Sequence, residues 1–254
     1  MKKTLMTLCV LCLVFTGNTQ AADKSQGWDV VIEPYIFAST IEGDTSLGRV
    51  TGVDVDADFG DILDVLDIGA MVHFEAIKAG KWGMVFDYGF MDLGGKVSVA
   101  QNGVLSADVR QGVLEAFALR RFERGPNTLD VFGGVRWWDN DIGATVDLMV
   151  LPGTPSAKIE QDWIDPVIGV RWRHPINDNW DLMLRGDVGG FGVESDFTSA
   201  VGTSFFWKFK SNLALELAYR ATWVDFEDGT AQTPGYYAYD TVTHGPLVGL
   251  TIGF

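Results

Sequence analysis

The densest chemistry in the sequence is Val53–Asp67, VDVDADFGDILDVLD, with six aspartates in fifteen residues. Asp54, Asp56 and Asp58 stand at alternate positions, as ligands do at the start of a calcium loop. A loop of the EF-hand kind needs glycine at its sixth position and glutamate at its twelfth. Counted from Asp54 those positions hold Phe59 and Val65, so the pattern fails and no metal site is predicted. The stretch divides instead into two periods. Val53, Val55, Ala57 and Phe59 alternate with the first aspartates, which suits an extended segment. Phe59, Ile62, Leu63 and Leu66 then fall at i, i+3, i+4 and i+7, with Asp61 and Asp64 off the stripe, which predicts a short amphipathic helix.

Nucleophilic hydrolysis needs a serine or an aspartate beside a histidine. The histidines are His73, His174 and His244. Asp225 and Asp240 are the acids within reach of His244, but no matching Asp-Asp pair accompanies it, so no enzyme is expected. A hydrolase at the rim of the fold is a minor alternative. His73 beside Glu75 reads as a packed pair rather than a ligand set, and no cofactor is expected.

These residues must be positioned by an exported fold. Lys2 and Lys3, the apolar run Leu5–Phe15 and Thr19-Gln20-Ala21 read as a secretory leader, residues 1–21, cleaved after Ala21. Cys9 and Cys12 both lie inside it, so the remaining domain, residues 22–254, has no thiol to form a bridge or a cysteine metal site. Losing two lysines moves the charge from −15 to about −17, which argues against nucleic acid as a partner.

Period-two alternation then recurs about ten times. His244, Pro246, Val248, Leu250, Ile252 and Phe254 share one face, opposite Gly245, Leu247, Gly249, Thr251 and Gly253. Trp82, Met84, Phe86, Tyr88 and Phe90 likewise oppose Gly83, Asp87 and Gly89. Apolar outside and small or polar inside is the pattern of a strand whose outer face meets lipid. Tight turns at Ala79–Lys81, Glu123–Asn127, Pro175–Asn179 and Lys210–Asn212 alternate with longer segments at 43–67, 94–104, 145–157, 190–197 and 226–240. The reading is an all-β, closed antiparallel transmembrane barrel of about ten strands, eight or twelve being the alternatives, with a short helix in the first long loop. Trp82, Trp172, Trp180 and Trp207 fall at one expected interface, and Trp137, Trp163 and Trp223 nearer the other.

The final Val248–Phe254, with its terminal aromatic, resembles the C-terminal signal read by the outer-membrane assembly machinery of Gram-negative bacteria. Glu33–Ala38 (EPYIFA), Phe59–Asp67 (FGDILDVLD) and Arg185–Val193 (RGDVGGFGV) are similar to stretches of an uncharacterised family of small bacterial outer-membrane barrels, grouped loosely with the OmpA-like barrels. The likeness runs from about Trp28 to Phe254. It implies a porin-like fold in the outer membrane, with lipid, lipopolysaccharide and the assembly machinery as partners, and brings no catalytic residues. A monomer is expected.

On this parity the lumen collects His73, Glu75, Asp87, Glu115, Asp130, Arg136, Asp165, Arg171, Arg185, Asp187, Glu216 and Arg220. Lone buried charges are costly, so these should pair as arginine–carboxylate bonds, with Arg136, Arg171, Arg185 and Arg220 bracing opposite walls. The expected role is structural, with an occluded lumen; a passive channel lined by the same charges is the alternative. Asp130…Arg136 and Asp165…Arg171 repeat one spacing on two strands. The helix stripe (Phe59, Ile62, Leu63, Leu66) is predicted to dock as a lid in or over the mouth, because two turns are not stable alone. Tyr236, Tyr237 and Tyr239 are assigned to the last long loop, where adhesion to a partner is a further alternative.

Overall fold

The computed structural model describes residues 27–99, 103–147 and 156–254; the predicted leader lies outside them. Twelve strand segments and one helix make up this part of the chain: β1 Trp28–Phe37, β2 Thr40–Leu47, β3 Val50–Ala57, α1 Phe59–Val65, β4 Leu66–Lys78, β5 Trp82–Val99, β6 Gly103–Arg124, β7 Asn127–Asp147, β8 Ser156–Pro175, β9 Trp180–Gly189, β10 Phe197–Lys210, β11 Leu213–Asp228 and β12 Tyr237–Gly253. Each pairs antiparallel with its neighbours, and β12 pairs back to β1, so the sheet closes.

Twelve segments form ten staves. β1 and β2 lie end to end along β12, with Phe37 opposite Leu247 and Thr40 opposite His244. The break falls opposite Pro246, which has no N–H for the ladder; its carbonyl accepts from the Ala38 amide at 2.9 Å. β3 pairs with β2, and β4 with β1, so α1 interrupts the second stave. The ten strands read from the alternation are therefore present, and the helix sits where the period changed. Asp58 caps it: its Oδ1 accepts from the Asp61 amide at 2.9 Å, and Asp61 reaches back to the Asp58 amide.

The faces follow the sequence parity. Ile32, Ile36, Met84, Phe86, Ile164, Ile168, Leu217, Val248 and Leu250 are exposed on the outside, an apolar belt that inverts the pattern of a water-soluble fold. The inside is packed. Ile77, Val85, Phe117, Leu119, Phe132 and Val167 form one apolar layer. Trp138, Trp163, Val224, Phe226, Tyr237 and Tyr239 form a second, toward the long loops.

Four expectations change. Trp163 is not at an interface: it shares the parity of Asp165 and lies in the lumen, 2% exposed. Tyr237 and Tyr239 are not loop residues, because the alternation of β12 continues through them and turns both inward. Tyr236, the loop residue just before them, is buried too, so these three tyrosines are not free to meet a partner. The apolar stripe of the helix does not dock as a whole. Its contacts fall on β5 beside it, Ile62 is buried, and Leu63 stays half exposed.

Candidate functional site in the barrel lumen

Cross-strand register builds the lumen chemistry. Asp130 on β7 lies opposite Arg121 on β6 and Arg171 on β8. Arg121 donates to Asp130 through Nε and Nη2, at 2.7 and 2.8 Å. Arg171 donates to the same carboxylate through Nη2, at 2.7 Å. Arg171 Nη1 also meets Glu75 of β4 at 2.6 Å, across the lumen. Two guanidinium groups and two carboxylates thus form one closed cluster.

A second cluster has the same composition. Arg136 is fully buried, and its Nε and Nη2 donate to Glu115 Oε1 at 2.9 and 2.6 Å. Nη2 also reaches Asp187 at 2.9 Å, and Nη1 reaches the Thr198 hydroxyl at 2.9 Å. Arg185 bonds Glu115 and Asp187 from the other side, both at 2.8 Å, with its guanidinium near the Phe117 and Phe132 rings. Each guanidinium nitrogen of Arg136 has an acceptor, which favours holding the charge out of water.

A third group joins the closing seam to β5. Tyr35 donates to Asp87 at 2.6 Å, and His73 Nδ1 lies 3.0 Å from the other Asp87 oxygen. Arg220 approaches both Tyr35 and Asp87, at 3.4 and 3.5 Å. Glu33 accepts from Thr251. Glu216, also inward and buried, lies two staves from Glu33, with Gly249 between them.

All twelve lumen residues named from parity face inward, but they are not all partnered as the spacing suggested. Arg136 and Asp165 are cross-strand neighbours, as are Asp130 and Arg171, so the repeated spacing becomes two rungs of one ladder. Asp165, however, also accepts from the Ser195 amide and hydroxyl, at 2.9 and 2.7 Å, and from Trp163 Nε1. It ties the loop between β9 and β10 into the barrel. Glu33, Tyr35, Arg121, Thr198 and Ser195 were missed. Arg121 shares the parity of Glu115 and Phe117, so it was readable; Ser195 sits in an irregular loop where no period helps.

Toward the long loops the aromatic layer fills the lumen side of the wall. Trp163 stacks between Phe226, with centroids 4.0 Å apart, and Trp138, at 5.5 Å. Gln111 and Asn140 satisfy the buried phenols of Tyr239 and Tyr237, at 3.1 and 3.0 Å. Among the described residues the lumen holds cavities of about 110 and 90 Å³. The larger lies among Glu33, Glu75, Arg171, Arg173 and Glu216, the smaller below Trp138; Tyr35, Asp87 and Arg220 line both. Each has room for a few waters, and the third cluster stands between them.

His244 faces outward, not into the lumen. Its Nδ1 lies 2.8 Å from the Tyr219 hydroxyl, and its Nε2 is 3.5 Å from Glu42.

The closed antiparallel sheet has known counterparts. The outer membrane protease OmpT from Escherichia coli superposes with a TM-score of 0.56 at 7% identity, over 91% of this chain and 98% of that one. The fold is that of an outer-membrane barrel. The translocator domain of the autotransporter NalP from Neisseria meningitidis is a weaker match, with a TM-score of 0.49 and 14% identity over 92% of this chain and 90% of that one. No family model matches the sequence, and no curated protein matches it.

Proposed function

We propose that this chain is a bacterial outer-membrane barrel whose lumen is held shut, with a structural role in the envelope and no catalytic one. The observation that carries the reading is Arg136. It is fully buried and fixed by Glu115, Asp187 and Thr198, from three different strands. A conducting ring would leave such a charge hydrated. The apolar belt supports insertion in a bilayer, and the short turns on one rim support the periplasmic side for that rim. Phe254, exposed and bonded through its amide to Val30 at 2.9 Å, suits recognition of the last strand by the assembly machinery. Kinship with the OmpA-like barrels and a monomeric state belong to the same proposal. The partners of His244, Tyr219 and Glu42 in place of Asp225 or Asp240, support a non-enzymatic reading over a rim hydrolase.

Planar-bilayer recording of the purified protein tests this. The wild type should be silent, and R136M should open conductance or fail to assemble. Regular conductance steps from the wild type would overturn the plug. They would favour the second reading, a passage for small solutes, which the two cavities on either side of the Tyr35–Asp87–Arg220 contact support. In that case a Y35F/R220M variant should raise the wild-type conductance further.

A further inference from the structure

The outer wall carries an unusual row at the short-turn rim. Trp28 lies opposite Lys78, Lys78 opposite Trp82, and Trp82 opposite Arg120, on four consecutive staves. Aromatic and cationic residues therefore alternate along one level. Lys78 Nζ stands 5.8 Å over the Trp28 ring, and the Arg120 guanidinium 4.5 Å over Trp82 and 5.6 Å from Phe122. Trp28 and Trp82 are the more exposed rings, at 50% and 61%.

Lys78 and Arg120 have no carboxylate within ion-pair distance among the described residues. In a chain with 34 acids and 19 bases, two outward cations without an acid partner stand out. Arg121, Arg136, Arg171 and Arg185 inside are all paired with carboxylates. Glu123 has the other parity along β6 and lies beside the Gly80 turn. Other outward aromatics at this rim stack on one another instead, Trp180 on Trp207 and Trp172 on His174. At the opposite rim one cross-strand row is wholly acidic: Asp225, Asp240, Asp44 and Asp54. The described wall is thus polarised, with an acidic row at the long-loop rim and the ring-framed cations Lys78 and Arg120 at the other.

We propose that Lys78 and Arg120, framed by Trp28, Trp82 and Phe122, form a docking site for the headgroup phosphate of an anionic glycerophospholipid. The site rests on the membrane reading above. A planar guanidinium held on a ring face keeps its edge donors free for phosphate oxygens, and the lysine adds a second point charge two staves away. The rings fix the level at the bilayer interface, where indoles prefer to lie. Directly inward from the row the outer face is low and apolar, with Ala76, Ala118 and Gly133 beside Met84, so acyl chains can descend from the phosphate without obstruction.

The test is native mass spectrometry of the purified protein released from nanodiscs of equal parts phosphatidylcholine and phosphatidylglycerol. Wild type should retain phosphatidylglycerol over phosphatidylcholine on the order of tenfold, and K78Q/R120Q less than about twofold. The charge-matched R49Q/K210Q variant, altered at two exposed positions off the row, should keep the wild-type preference. K78R/R120K should keep it too, which guards against a loss caused by misfolding. Equal retention of the two lipids by wild type overturns the site, as does an undiminished preference in K78Q/R120Q. Excess inorganic phosphate should leave the bound lipid in place; displacement would overturn the assignment to a lipid. Folded protein that cannot enter nanodiscs sinks the membrane reading and the site with it, whereas entry without preference sinks the site alone.

Discussion

Arg171 on β8 and Glu75 on β4 meet across the lumen at 2.6 Å, from strands four staves apart. The same arginine holds Asp130 on the neighbouring strand, so one side chain fastens the near wall to the far one. A bond of this kind stiffens a cross-section that backbone ladders alone leave free to flatten.

Breaking that brace from one side should be costly. R171M leaves Glu75 with Arg121 at 3.5 Å and removes one of the two guanidinium groups on Asp130. We expect a loss of about 3–5 kcal/mol, the usual penalty for stranding a buried charge. The double variant R171M/E75M should recover part of it. Urea unfolding followed by tryptophan fluorescence in micelles measures both, and a double variant weaker than the single would refute the pairing.

Two adjacent glycines should differ sharply. A Cβ at Gly169 would run into the Phe132 ring and lie 2.6 Å from the Asp187 Cβ, whereas one at Gly186 meets nothing within 4 Å. G169A should cost about 3 kcal/mol through overpacking. G186A should stay within about 0.5 kcal/mol of wild type. The comparison is read from heat-modified gel mobility and unfolding midpoints.

Trp163 should matter both for stability and for sealing. Its ring is 2% exposed between Trp138 and Phe226. W163A should lower stability by about 3–5 kcal/mol. If the aromatic layer is the outer seal, liposomes carrying W163A should also admit small sugars faster than wild-type liposomes in a swelling assay.

The helix makes a local prediction. Asp58 caps α1 through its side chain, so D58A should cost about 1 kcal/mol there. Amide exchange from Asp61 to Leu66 should quicken while the melting of the barrel is unmoved. Fast exchange across this segment in the wild type would show that Ile62 is not held against the wall.

Much of the barrel was legible because a strand has a strict period of two. One correct face assignment in Trp82–Phe90 or Val248–Phe254 propagates along the stave and fixes what points inward. That is why His73, Glu75, Asp87 and the four arginines could be placed from spacing. Which carboxylate each arginine would take was not legible, since it depends on stagger between strands. Arg136 and Asp165 sit opposite each other as the spacing allowed, yet Arg136 bonds Glu115 and Asp187. Tyr237 and Tyr239 were lost for a different reason. Their strand runs further than loop-like residues around Gly229–Gly235 suggested, and extension beyond the bilayer leaves no hydrophobic mark.

The seam between β1 and β12 sets a timetable. Val31–Phe37 pair with Leu247–Gly253, so the free edge of the first stave is covered only when β12 reaches it and the sheet closes. Until then both β1 and β11 present open hydrogen-bonding rows, and the lumen charges have half a wall to bind. A chain cut short before Leu247 would therefore be an edge-exposed, sticky intermediate rather than a slightly weaker barrel. Survival in the cell then depends on how quickly the open form is captured and sealed, not only on how stable the closed form is.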